Sequence, residues 1–293
     1  MKIGVVGHGS IGRRHAANLR AMGHEVVIYD PAYSAGLRFE RHVYETCPAV
    51  VIATPTNVHW GCIRAAAERG CHMLVEKPIA SGDLRGLQMS LDLAASKGAV
   101  VMMGNNLRFH PCVIEAKNKL LPEIGAPLWA SFTCAAKSVK PLYLSDGVIM
   151  NTGAHEVDLA LHLLGPAKVI TATARLTAGH DDIADFVLQH YNGCRSNFHL
   201  DFVTEPEIRS FRIIGKKGDI FCELPARFVR ARVNGQRDQF HGPGSYDDDY
   251  IAEMEDFIFQ CAGGPPRDRA ATGADGLETL KLLLDIRTMV GLP

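Results

Sequence analysis

The chain has 293 residues, a formal net charge of −1, 47% apolar and 22% charged residues, the profile of an ordinary soluble globular protein long enough for two domains. No run of Lys and Arg is long enough to track phosphates and no apolar run is long enough to span a bilayer, so neither nucleic acid nor a membrane is an expected partner. Its eight cysteines (Cys47, Cys62, Cys71, Cys112, Cys134, Cys194, Cys222, Cys261) are scattered, without a C-x-x-C pair or a His at ligand spacing; no metal site or disulfide framework is expected, and reduced thiols in a cytoplasmic protein are.

Residues Lys2–Val6 read as an apolar strand, and no signal peptide is expected because a glycine-rich turn follows at once. That turn, Gly7-His8-Gly9-Ser10-Ile11-Gly12, has G-x-G-x-x-G spacing and opens a helix over residues 11–22 that ends near Gly23. Gly7 permits the tight turn. Gly9 lets the backbone approach a pyrophosphate seated on the helix N-terminus, beside Ser10 and Ile11. Gly12 allows helix and strand to pack closely. Glu25–Tyr29 is the next strand. Asp30 at its end suits the acid that accepts bonds from ribose hydroxyls and repels a 2′-phosphate, and no Arg follows until Arg38. NAD is therefore the expected cofactor. The other reading of Asp30 is a turn residue before Pro31.

Ala49–Ala53 is a third strand. Thr54-Pro55-Thr56 follows at its C-terminal end, where open α/β sheets bind ligands, and its hydroxyls and backbone could line the nicotinamide half of the cofactor. Thr56 or Asn57 could also simply cap the helix Asn57–Arg69, which Gly70 stops. His72–Val75 is a strand ending in Glu76-Lys77-Pro78, Asp83–Lys97 a helix closed by Gly98, and Ala99–Met103 another strand. Strands alternating with helices predict right-handed crossovers and a doubly wound parallel sheet over residues 1–122.

The pattern changes beyond Pro122. Residues 127–136, 167–177, 183–191, 194–203, 207–214 and 217–224 read as strands joined by turns such as Asn192-Gly193 and Lys217-Gly218. They predict a large open antiparallel sheet in a substrate-binding and oligomerisation domain over 123–293. One helix, Thr152–Leu164, lies within this half. Helices over 248–261 and 275–290 close the chain, the latter expected to pack back on the first domain. A single helix layer cannot cover both faces of a wide sheet, so an exposed apolar face is expected, and with it a homodimer or homotetramer packed through this sheet.

Four segments recur in a specific order: Ala53-Thr54-Pro55-Thr56-Asn57-Val58-His59, Glu76-Lys77-Pro78, Gly104-Asn105-Asn106-Leu107-Arg108-Phe109-His110-Pro111 and Asn151-Thr152-Gly153-Ala154-His155-Glu156-Val157-Asp158. With them the chain resembles the glucose–fructose oxidoreductase / inositol dehydrogenase (Gfo/Idh/MocA) family along nearly its whole length. The resemblance implies an α/β protein joining a Rossmann domain to an α/β domain with an open antiparallel sheet. It implies hydride transfer between NAD and a sugar, inositol or nucleotide-sugar carbon, acting on a CH–OH group of a polyol. His59, Glu76, Lys77 and Asn106 join the cofactor contacts, and Lys77, Arg108, Asn151, Thr152 and His155 the substrate contacts. Lys77 would hydrogen-bond the reacting oxygen and favour an alkoxide-like transition state. His155 would be the acid/base, since oxidising an alcohol requires removal of its hydroxyl proton. The two would meet at the cleft between the domains.

Read alone, His155 could equally be a capped or core histidine. Arg108 and His110 could bind an acidic part of a substrate or orient the hinge. His162, His180, His190 and His199 lack such context and read as structural. Two features depart from the family. Asp30 to Ala49 spans about half the usual distance, so an edge strand and part of a helix should be missing or collapsed into residues 38–47. Asn151 stands where the family has Asp, and an amide cannot stabilise a histidinium as a carboxylate does. These departures motivate a second reading, a non-catalytic NAD-binding regulator or scaffold; retention of Lys77 and His155 favours the enzyme.

Overall fold

The computed structural model describes residues 1–292 except Ser34, Arg38, Phe39 and Ser138–Lys140; of residues 141–145 it describes the backbone. Arg38, the nearest arginine after Asp30, thus lies outside the described residues. The chain divides into two compact units, Met1–Asn106 with Tyr246–Leu280, and Leu107–Ser245 with Lys281–Pro293. The first unit therefore ends at Asn106 rather than at residue 122. Residues 107–122 add no strand to the parallel sheet. They are helical and pack in the second unit, where His110 Nε2 bonds the Leu224 carbonyl at 3.2 Å.

The first unit holds five parallel strands, β1 (Lys2–Val6), β2 (Glu25–Tyr29), β3 (Ala49–Ile52), β4 (His72–Glu76) and β5 (Val101–Gly104), in the order β2-β1-β3-β4-β5. Ile3, Val5, Val6, Val50, Val51, Ile52, Met73, Leu74 and Val75 are completely buried, as a parallel sheet covered on both faces requires. The helices α1 (Ser10–Ala21), α2 (Arg41–Thr46), α3 (Thr56–Arg69) and α4 (Leu84–Ser96) connect these strands. Between β2 and β3 the described residues hold only the two-turn α2, so β2 is the sheet edge, as the short Asp30–Ala49 interval predicts.

In the second unit a helical stretch comes first: a 3₁₀ turn at Asn106–Phe109, α5 (Pro111–Glu115), a π turn at Ala116–Leu120 and α6 (Leu121–Glu123). Eight strands follow: β6 (Pro127–Ala135), β7 (Ala167–Thr177), β8 (His180–His190), β9 (Arg195–Asp201), β10 (Ile208–Gly215), β11 (Gly218–Glu223), β12 (Phe228–Val233) and β13 (Gln236–His241). Their order is β13-β12-β11-β10-β6-β9-β8-β7. The large open antiparallel sheet expected from the sequence is present; at its centre β6 and β9 run parallel. The crossover from β6 to β9 carries α7 (Pro141–Asn151), α8 (Gly153–Leu164) and the hairpin β7–β8, which is long enough to return the chain in the same direction.

One rung of this sheet is built of phenylalanine: Phe186, Phe198, Phe132 and Phe211 lie directly opposite one another on β8, β9, β6 and β10. Ring centroids are 4.5, 5.1 and 5.8 Å apart in that order. Such aromatic pairs add about 0.5–1.5 kcal/mol each beyond area burial. α8 packs on β6 and β9. On the other sheet face Asp185, Asn197, Arg212 and Arg230 are exposed, with half-buried Trp129, Val187, Ile214 and Phe221 among them.

α9 (Tyr246–Cys261) belongs to the first unit, and α10 (Gly273–Met289) begins in the first and ends in the second. The return of α9 was not expected from the sequence, and only the first part of α10 returns. Among the described residues no helix is long and apolar enough to cross a membrane.

Candidate active site

The strand order reverses between β1 and β3, and the turns after both strands meet at this switch point. Gly7 has φ +95°, and a Cβ there would lie 2.5 Å from the Ala53 carbonyl oxygen; a Cβ on Gly12 would overlap the Gly7 carbonyl. At Gly9 a Cβ would meet nothing within 4 Å. Gly9 also heads α1 with no side-chain cap, so the orphan N–H groups of Ser10, Ile11 and the rest of the first turn, with the positive helix dipole, are available to an anion. This open backbone cradle fits a pyrophosphate. The Asp30 carboxylate accepts the His8 N–H at 2.6 Å and the Ala32 N–H at 2.7 Å. It braces the glycine turn and keeps two of its four acceptor sites for a ribose diol.

At the end of β3, Pro55 precedes the first turn of α3 and no side chain caps that helix. The capping alternative for Thr56 and Asn57 is not realised; Thr56 is half-buried and Asn57 exposed. His59 is buried. Its Nδ1 lies 2.9 Å from the Pro78 carbonyl and its Nε2 2.8 Å from the Thr54 carbonyl. Both His59 ring nitrogens clasp backbone, tying the turn after β3 to the turn after β4. Glu76 also has protein partners. Its carboxylate is buried between His15 Nε2, at 2.7 Å, and the Lys77 backbone N–H, at 3.3 Å. Lys77 itself is half-buried and precedes a cis proline, Pro78. At the end of β5, Asn105 and Asn106 are buried. Among the described residues the Asn106 amide has no partner at either polar atom, the state expected of a group that a ligand completes.

In the second unit, α7 kinks at Gly147, whose φ is +76°. The absent Cβ leaves the space occupied by the Asp181 carboxylate, which accepts the Ile149 N–H at 2.6 Å and so caps the restarted helix. Burial pushes the Asp181 carboxyl up, against the pull of that N–H. Asn151 ends this helix, Thr152 keeps α-helical angles, and His155 lies half-buried in the first turn of α8. Two buried ion pairs fix that turn. Arg108 Nε and Nη2 donate to Asp158 at 2.9 and 2.6 Å. Arg209 Nε donates to Glu156 Oε1 at 2.8 Å, and its Nη2 lies 2.7 Å from the same oxygen. Burial pushes the Glu156 carboxyl up, opposed by Arg209.

The Arg108 fork meets a buried carboxylate on α8. His110 accepts the Cys112 N–H and bonds Leu224, so it too serves the backbone. Sequence reasoning missed His15, Asp181 and Arg209. His15 carries a signal in hindsight, a histidine on the apolar side of α1 beside Gly12 and Leu19. Asp181 and Arg209 carry none, because their partners are distant in sequence.

Residues 1–105 match the profile described as "Oxidoreductase family, NAD-binding Rossmann fold", and residues 124–221 match "GFO/IDH/MocA C-terminal domain". UDP-N-acetylglucosamine 3-dehydrogenase of Acidithiobacillus ferrooxidans is 26% identical over 99% of this chain and 97% of its own. Inositol 2-dehydrogenase of Rhizobium meliloti is 29% identical over 80% of this chain and 76% of its own. Among solved structures, the Acidithiobacillus enzyme superposes with a TM-score of 0.88 at 24% identity, covering 99% of this chain and 97% of that one. Levoglucosan dehydrogenase, solved with NADH and levoglucosan, gives 0.88 at 19% identity over the same shares. With both halves matched and the fold shared from end to end, the chain belongs to the Gfo/Idh/MocA family of NAD-binding oxidoreductases.

Proposed function

We propose that this protein is an NAD-dependent dehydrogenase or reductase acting on a CH–OH carbon of a sugar, inositol or nucleotide sugar. The observation that carries the reading is that Lys77 and His155 each stand next in sequence to buried, paired groups: Glu76, hydrogen-bonded to His15, beside the first, and the Glu156–Arg209 and Asp158–Arg108 ion pairs beside the second. Buried charges cost stability unless well paired, and pairings of this kind suit groups whose position matters. A relative aligned over 97% of its length that acts on UDP-N-acetylglucosamine supports the nucleotide-sugar class; the inositol dehydrogenases support polyols.

NAD, when bound, would supply the hydride-transfer chemistry. The turn Gly7–Gly12 would hold its pyrophosphate, Asp30 its ribose, and Thr54, Pro55, Thr56 and Asn106 its nicotinamide half. Lys77 hydrogen-bonds the reacting oxygen and stabilises negative charge growing there. His155 takes the hydroxyl proton on oxidation and returns it on reduction, with Asn151 and Thr152 beside it at the substrate. The face of the eight-stranded sheet opposite α8 joins copies of the chain, and free thiols at all eight cysteines suit the cytoplasm.

The test is a panel of nucleotide sugars, inositols and free sugars, followed by absorbance of the reduced nicotinamide. Turnover of at least one class is expected. Tight NAD binding with no turnover of any would replace this reading with the regulator or scaffold that Asn151 and the short sheet edge suggest.

A further inference from the structure

We infer that His15 is a positioning residue for Lys77, acting through Glu76; this rests on the reading of Lys77 as the group at the reacting oxygen. His15 is completely buried on α1, in the turn directly after Gly12. Its Nε2 lies 2.7 Å from Glu76 Oε1. A carboxylate only accepts, so Nε2 carries the proton in that bond. The second oxygen, Oε2, accepts the Lys77 backbone N–H. One carboxylate thus joins the imidazole to the backbone from which Lys77 extends.

The surroundings hold the pair in one arrangement. Across the strand, Gly104 leaves room for the carboxylate; a Cβ there would sit 3.1 Å from its carbon. On α9, the Tyr250 ring meets His15 edge-on at 5.9 Å. The Tyr246 hydroxyl lies 2.9 Å from the Tyr250 hydroxyl, and the Arg14 guanidinium stands over both rings and pairs with Asp247 at 2.8 Å. His15 Nδ1 has no partner among the described residues. Burying an imidazole with one nitrogen unsatisfied is costly, and the bond from the other nitrogen to Glu76 offsets part of that cost. The helix whose N-terminus cradles the cofactor is in this way bonded to the strand end that presents Lys77.

The test uses the full chain with His15→Leu, which removes the donor, and His15→Gln, whose Nε2 can replace it. Substrate kinetics and NADH binding are measured together with a readout independent of turnover: the ¹³C resonance of reductively methylated Lys77, assigned by its loss in Lys77→Arg. His15→Leu should move that resonance, lower kcat about 10- to 100-fold and change the NADH Kd less than about 3-fold, with His15→Gln restoring at least half of the activity. If His15→Leu fails to fold, Glu76→Gln replaces it, with the same expectations apart from the glutamine rescue. An unchanged Lys77 resonance in the folded variants overturns the inference whether or not a substrate has been found. A shifted resonance in a protein inactive on every substrate leaves the positioning role standing and refutes the dehydrogenase instead.

Discussion

Replacing Asp158 by Asn would leave the Arg108 guanidinium in a site where the pair's side chains are 5% and 2% exposed. Two charge-assisted bonds of 2.9 and 2.6 Å would be weakened together. Opposite charges about 4 Å apart attract by about 4 kcal/mol at an effective dielectric of about 20, and the desolvation cost of the arginine remains. Breaking one partner of a buried pair should therefore cost about 3–5 kcal/mol, whereas replacing both by apolar groups should cost much less. Arg108→Met and Asp158→Asn are each expected in that range, and Arg108→Met with Asp158→Leu within about 2 kcal/mol of wild type. Urea unfolding followed by tryptophan fluorescence measures this in a Trp60→Phe background, where Trp129 on β6 reports the second unit. Single variants within about 1 kcal/mol of the parent, or a double variant less stable than either single one, would refute the reasoning. Because Asp158 lies on the turn of α8 that follows His155, Asp158→Asn should also slow turnover under conditions where the protein stays folded.

His155→Ala and Lys77→Ala should each lower turnover about 10²- to 10⁴-fold with NAD affinity nearly unchanged, read from steady-state kinetics and cofactor fluorescence; full activity in His155→Ala would remove it from the chemistry. NAD should bind more tightly than NADP, and Asp30→Ala should weaken NAD about 10-fold or more while narrowing that preference, since charged-group hydrogen bonds are worth about 1.5–3 kcal/mol. Sedimentation at micromolar concentration should give a dimer or tetramer, and Arg212→Glu with Arg230→Glu on the sheet face opposite α8 should shift it toward monomer. His199 should titrate above its ordinary value: partial burial opposes the charged ring, but the Asp185 and Asp201 carboxylates at 2.9 and 3.2 Å outweigh it. Its stabilising contribution is present below about pH 6.5 and lost as pH rises through the elevated folded value, and NMR titration should show the shift diminished in Asp185→Asn.

The parallel sheet was legible because β1, β3, β4 and β5 are short apolar runs followed by Gly, Pro or Asn, and the cofactor turn because each glycine meets a separate steric demand. β12 and β13 were not: Phe228–Val233 interleaves arginine with small apolar residues, and Gln236–His241 has one apolar side chain. α7 was hidden by the kink at Gly147, whose cause is a carboxylate on β8. Residues 107–122 continue an apolar helical pattern that does not say which sheet they cover. At the site, the motifs located Lys77 and His155. The roles of His59, Glu76 and Arg108 depended on partners 19, 61 and 50 residues away, and local pattern carries no record of such pairings.

The first unit is written in two stretches of chain, and the second stretch supplies Tyr250, which closes over His15. An exchange of N-terminal halves between relatives at the end of the parallel sheet would carry the histidine and leave its cover behind. Chimeras that respect this wiring must exchange 246–280 along with 1–106, and evolutionary shuffling of cofactor halves faces the same constraint. Substrate range should therefore have diversified by change within the second unit, with the two segments of the first inherited as a single set.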